Sequence, residues 1–80
     1  MAKTSVIIVG TGGMARHHMS VMVTMANTRI CGLVEVSEAQ RKLTRDLFES
    51  RGKKCPAFYD TISELLKAQG APDASFINTP

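Results

Sequence analysis

SVIIVGTGGMARHH, residues 5–18, decides the fold. Within Ser5 to Val9, the four residues after the serine form a β-branched apolar run without polar alternation, the pattern of a strand buried on both faces of a parallel sheet. Gly10, Gly12 and Ala15 follow in the spacing G-x-G-x-x-A. Glycine at 10 allows a tight turn, glycine at 12 lets the backbone approach a pyrophosphate, and a small residue at 15 lets the next helix pack closely on the strand. That helix is expected to open near Gly13, its unpaired N–H groups and positive dipole end facing the phosphates. The glycines alone are a weak signal; a strand before them and a helical pattern after them give the motif meaning.

Working outward, Met14 to Ala26 reads as a helix, because Met14, Ala15, His18, Met19, Met22, Val23 and Met25-Ala26 recur at three and four residues. Its four methionines are expected to fill gaps against the sheet. Arg29 to Val36 reads as a second strand with Glu35 near its end, 25 residues beyond Gly10. In a dinucleotide site an acid there accepts hydrogen bonds from the adenosine ribose, and its charge repels a 2′-phosphate, so Glu35 favours NAD over NADP. Arg41 and Lys42, a turn or more into the next helix, keep NADP open as an alternative. The competing reading of Glu35 is a solvated glutamate at a strand end.

Ser37 and Gln40 form a capping box for a helix whose apolar side is Ala39, Leu43 and Leu47 with Phe48 alongside, ending at Gly52. Glu38, Arg41, Lys42, Arg45 and Glu49 are expected to face water. Pro56 to Tyr59 reads as a short third strand. Asp60 or Thr61 caps a further helix, Thr61 forming a capping box with Glu64; the helix carries Ile62, Leu65, Leu66 and Ala68 and closes at Gly70. Ala74 to Asn78 is a fourth strand, followed by Thr79-Pro80. Strands alternating with helices call for parallel pairing and right-handed crossovers. The expected fold is α/β: a partial Rossmann fold, with a parallel sheet of about four strands in the order 3-2-1-4 and flanking helices.

Eighty residues make one small domain at most, and 44% apolar residues with a formal charge of +3 describe a globular chain. Arg41-Lys42 and Lys53-Lys54 are the only basic doublets, and such sparse pairing argues against a dedicated nucleic-acid surface. No stretch approaches a membrane span or a signal peptide, and Cys31 and Cys55 fit no metal-ligand spacing. Two reduced thiols and a cytoplasmic location are expected.

Other reactive side chains read as structural. His17 and His18 point about 100° apart on a helix and cannot readily share one metal ion. His18 falls on the apolar stripe and is expected to pack with one hydrogen bond, while His17 is solvated. Cys31 reads as a small hydrophobe and Cys55 as a loop thiol, with no base beside either. Thr79 stands at the carboxyl edge of the sheet, where ligands of open α/β sheets bind; a residue turning the chain out of a strand is the equal alternative.

The three segments VIIVGTGGMARHH, LVEVSEAQRKL and DASFINTP, in that order, resemble the N-terminal domain of the glucose–fructose oxidoreductase/inositol dehydrogenase (Gfo/Idh/MocA) family. The matching positions are Gly10, Gly12, Met14, Ala15 and His18; Glu35, where aspartate is commoner; and Asp73-Ala74, Ile77 and Thr79-Pro80. The resemblance covers nearly the whole chain. It implies an NAD(P)-dependent oxidoreductase acting on a sugar, polyol or related carbohydrate. It also implies that Gly12, Gly13 and Met14 lie along the pyrophosphate and that Asn78, Thr79 and Pro80 sit near the nicotinamide-side ribose. The family's E-K-P lysine and its substrate-binding domain have no counterpart in these residues.

Residues 1–80 are therefore expected to form an incomplete NAD(P)-binding domain. Its cofactor-binding set is Gly10, Thr11, Gly12, Gly13, Met14, Glu35, Asn78, Thr79 and Pro80, with no catalytic residue and no metal ligand. The parent would be an oligomer that binds nicotinamide dinucleotide, and meets its carbohydrate through the missing domain; this piece alone would be inactive. The alternative is a non-catalytic dinucleotide-sensing or interaction module. A methyltransferase is a weaker reading still, because its third glycine would fall at Met14.

Overall fold

The computed structural model describes residues 4–77. Strands and helices alternate as β1 (Thr4–Val9), α1 (Gly13–Met22), β2 (Thr28–Val34), α2 (Glu38–Ser50), β3 (Phe58–Tyr59), α3 (Ile62–Gln69) and β4 (Ala74–Ile77). The four strands form one parallel sheet in the order β3-β2-β1-β4. The partial Rossmann arrangement read from the sequence is the one observed.

The unbroken apolar run of β1 feeds two cores, one on each face of the sheet. Val6 and Ile8 pack with Ala15, Met19 and Met22 of α1, Leu33 of β2 and Phe48 of α2. Ile7 points the other way, onto Val34 and Leu65 of α3. A strand covered on both sides has no polar face to display, hence the lack of alternation. Between Val6 and Ile7 the β1–β2 register shifts: Val6 pairs with Ile30 but Ile7 with Gly32. Gly32 lies under Leu65, and a Cβ built on it would come within 2.8 Å of Leu65 Cδ1. At the opposite end of β1, Asp73 Oδ2 accepts from the Ser5 backbone N–H at 2.8 Å, and the Asp73 N–H donates to the Ser5 carbonyl at 3.0 Å, which anchors the start of β4.

The helices depart from expectation in detail. α1 stops at Met22 rather than Ala26, and i→i−3 bonds from Thr24 to Val21 and from Met25 to Met22 wind it into a tight turn. The β-branched Val21, Val23 and Thr24 favour that ending. Met19 and Met22 are buried as expected, but Met14 is 69% exposed and Met25 is exposed too, so only two of the four methionines fill the core. His18 is exposed instead of packed, with its ring 6.2 Å from that of Phe76. In α2 the buried side is Thr44 and Phe48, while Leu43 is 46% exposed. The Thr44 hydroxyl donates to the Gln40 carbonyl at 2.8 Å, which makes its burial inexpensive. Arg41 and Arg45 do not simply face water; both lie over the Phe58 ring, at 5.3 and 5.8 Å from its centroid. β3 is shorter than expected, at two residues. Thr61 caps α3 by accepting from the Glu64 N–H at 3.1 Å.

Candidate dinucleotide-binding site

The carboxyl ends of β1 and β2 lie side by side, and the loop from β1 to α1 runs over them. Gly10 opens the loop with φ +84°, where an L side chain is strained, and donates its N–H to the Val34 carbonyl at 2.8 Å. Gly12 is the N-cap of α1 and offers no side chain to the helix, and no acidic residue stands in the first turn. The free N–H groups and the positive dipole end of α1 therefore have no anion of their own. A Cβ on Gly12 would meet nothing within 4 Å, and one on Gly13 only the Arg16 guanidinium at 3.8 Å. This is open space beside bare backbone, the shape a diphosphate needs.

Glu35, the residue after β2, turns its carboxylate onto this loop. Oε1 accepts from the Thr11 N–H at 2.7 Å and the Thr11 hydroxyl at 3.1 Å, and Oε2 accepts from the Ser37 N–H at 3.1 Å. Burial pushes the Glu35 carboxyl upward, but the N–H groups of Thr11, Ser37 and Val36 and the Thr11 hydroxyl outweigh it and hold the group below the ordinary range. Glu35 is thus a partly exposed carboxylate held by hydrogen bonds at the edge of the open space.

Thr11 is fully buried, and its carbonyl accepts from Arg16 Nη1 at 2.9 Å. The same Nη1 donates to Gln40 Oε1 at the start of α2. Neither Arg16 nor Gln40 stood out in the sequence as a site residue. The capping-box signal located Ser37 and Gln40 but explained them only as a helix start. Here the Ser37 hydroxyl does accept from the Gln40 N–H, at 3.3 Å, while the Gln40 side chain goes to Arg16.

The two cations that kept NADP open are engaged elsewhere. Arg41 pairs with Asp60 at 2.8 Å and also donates to the Glu35 carbonyl, and Lys42 pairs with Asp46 at 3.2 Å. Met14 lies exposed on the first turn of α1. Burial, against the opposing charge of Arg45, pushes the Cys55 thiol up, away from nucleophilic use. Among the described residues no group of three His, Cys, Asp or Glu side chains could hold a metal ion, and no helix is long and apolar enough to cross a membrane. Asn78, Thr79 and Pro80 lie outside the described residues.

No family model and no curated protein matches the chain. Solved structures do. GenD2 from gentamicin A biosynthesis, determined in complex with NAD, superposes with a TM-score of 0.73 at 22% identity over 100% of this chain and 21% of its own. Myo-inositol 2-dehydrogenase from Lactobacillus plantarum gives 0.70 at 16% identity over 98% of this chain and 22% of its own. An NAD-binding protein from Listeria innocua gives 0.66 at 27% identity over 98% and 21%. The chain thus spans about a fifth of the length of the structures it matches. Strand order and these superpositions agree: the chain has the partial Rossmann fold of the matching segments of GenD2 and myo-inositol 2-dehydrogenase.

Proposed function

We propose that residues 1–80 are the nucleotide-binding portion of an NAD-dependent oxidoreductase whose whole chain acts on a sugar, polyol or related carbohydrate. The observation that carries this reading is the open backbone at Gly12 and Gly13 beside a held carboxylate at Glu35. The diphosphate of NAD fits over Gly12, Gly13 and Met14 at the start of α1, with Gly10 and Thr11 shaping the turn beneath it. The adenosine ribose fits against Glu35; the assignment of Asn78, Thr79 and Pro80 to the nicotinamide side rests on the resemblance of their sequence alone. The binding of NAD by GenD2 and the Listeria innocua protein, and the substrate class named for myo-inositol 2-dehydrogenase, support the assignment.

NAD is favoured over NADP because Glu35 repels a 2′-phosphate and Arg41 and Lys42 are already paired. When bound, the nicotinamide supplies the hydride acceptor; this segment binds and orients it, and the proton-transfer group and substrate wall belong to the rest of the chain. The reading includes a cytoplasmic homo-oligomer with no nucleic-acid partner.

Calorimetric titration of the full-length protein with NAD and NADP tests the proposal. Saturable NAD binding, weaker by about tenfold or more in Glu35→Ala and for NADP, is the expected result. Absence of NAD binding overturns it. NADH formation screened across inositols and sugars then tests the oxidoreductase assignment; NAD binding without turnover on any of them favours a sensing module.

A further inference from the structure

Five residues close a ring of hydrogen bonds around the glycine loop. Thr11 donates its N–H and hydroxyl to Glu35 Oε1, and Ser37 donates its N–H to Glu35 Oε2. The Ser37 hydroxyl accepts from the Gln40 N–H, Gln40 Oε1 accepts from Arg16, and Arg16 donates onward to the Thr11 carbonyl. The ring ties together four segments: the loop after β1, the end of β2, the first turn of α2 and the first turns of α1. Every backbone and side-chain polar group of the buried Thr11 is engaged in it.

The position of Arg16 is informative because local electrostatics oppose it. A cation near the N-terminus of a helix meets the positive end of the dipole, and α1 has no acidic residue in its first turn to offset it. Among the described residues Arg16 has no carboxylate partner; it is held by two neutral acceptors, the Thr11 carbonyl and the Gln40 amide oxygen. It is stationed beside the open space over Gly13 by the ring, at the expense of its helix.

We infer that Arg16 and Gln40 are positioning residues for diphosphate recognition. Gln40 aims Arg16, Arg16 and Glu35 hold Thr11 from opposite sides, and Thr11 so fixed presents the Gly12 and Gly13 backbone to the phosphates. Binding then requires little rearrangement of the loop, which lowers its ordering cost. Glu35 accordingly serves the diphosphate end of the ligand as well as the ribose. The inference rests on the dinucleotide reading, but its central claim concerns the ligand-free loop.

The test is Gln40→Leu, which removes the acceptor at similar size, against Gln40→Glu, which keeps an acceptor oxygen for Arg16. Two quantities are measured in the full-length protein: hydrogen–deuterium exchange of peptides spanning Gly10 to Met14 without ligand, and affinity for NAD. Gln40→Leu should speed exchange of the loop and weaken NAD binding, each by about tenfold, the worth of one hydrogen bond to a charged group. Gln40→Glu should restore both. Unchanged exchange and affinity in Gln40→Leu, or a Gln40→Glu that behaves like Gln40→Leu, overturns the inference. Should the parent protein bind no NAD, the dinucleotide reading fails, and loop exchange alone decides whether the ring holds Thr11.

Discussion

Glu35 Oε1 stands 2.7 Å from the backbone nitrogen of Thr11, so the end of one strand grips the turn that leaves its neighbour. The carboxylate is shared between the protein and any ligand that approaches it. A carboxylate accepts about four hydrogen bonds, and Thr11 and Ser37 already take up three of those positions. Under the proposed function, a ribose hydroxyl would meet an acceptor whose direction is set in advance.

This grip makes stability depend on pH in a defined direction. Burial raises the Glu35 carboxyl, but the hydrogen bonds from Thr11, Ser37 and Val36 win and bring it below the ordinary 4.5. The folded state thus binds that proton less readily than the unfolded chain. The stabilisation is complete above the ordinary value and disappears as pH falls through the lower folded value. Thermal melts from neutral pH downward should show a wild-type decline in acid that is shallower in Glu35→Gln. Parallel curves would mean that Glu35 contributes no such linkage.

Gly10 and Gly12 should separate stability from binding. Gly10→Ala forces a side chain to φ +84° and should cost about 1–2 kcal/mol in denaturant unfolding, with binding lost as the turn deforms. Gly12 has φ −64° and free space around its Cβ position, so Gly12→Ala should change stability by less than about 1 kcal/mol. NAD affinity should nevertheless fall by about tenfold or more, because the methyl occupies the phosphate's approach. A Gly12→Ala protein that binds NAD as wild type does would remove the diphosphate from this position.

Gly32 and Leu65 should behave as one packing unit. A Cβ on Gly32 would stand 2.8 Å from Leu65 Cδ1 and 3.0 Å from Cγ, and Leu65 is fully buried. Gly32→Ala should cost about 1–3 kcal/mol by overpacking, and Leu65→Ala about 2–5 kcal/mol by leaving a cavity. Together they should cost less than their sum, since the new methyl enters the vacated space. Additive unfolding energies in the double-mutant cycle would show that α3 does not pack over Gly32.

Asp73 should govern the attachment of β4. Its carboxylate accepts from the backbone N–H and the hydroxyl of Ser5. Asp73→Ala should destabilise by about 1 kcal/mol and raise hydrogen exchange first in Ala74–Ile77. Equal acceleration along β1, β2 and β4 would indicate a global effect instead.

Much was determined by the sequence alone. The run at Ser5–Val9, the glycine spacing, the caps at Ser37 and Thr61 and the glycines at 52 and 70 record local backbone requirements, and these suffice for element order and a parallel 3-2-1-4 sheet. Periodicity failed where a choice between neighbouring helix faces depended on packing: Thr44 rather than Leu43 lies on the face that Phe48 turns to the core, and its hydroxyl bond to the Gln40 carbonyl makes that burial inexpensive. His18 and Met14 were left outside although they share a stripe with Met19 and Met22. Glu35 was legible as a candidate because strand end and glycine loop can be counted along the chain. Only the tertiary structure decided that it holds Thr11, and that Arg16 and Gln40 complete the ring, because those hydrogen bonds join residues 24 apart across adjoining elements, and local sequence patterns cannot specify their geometry.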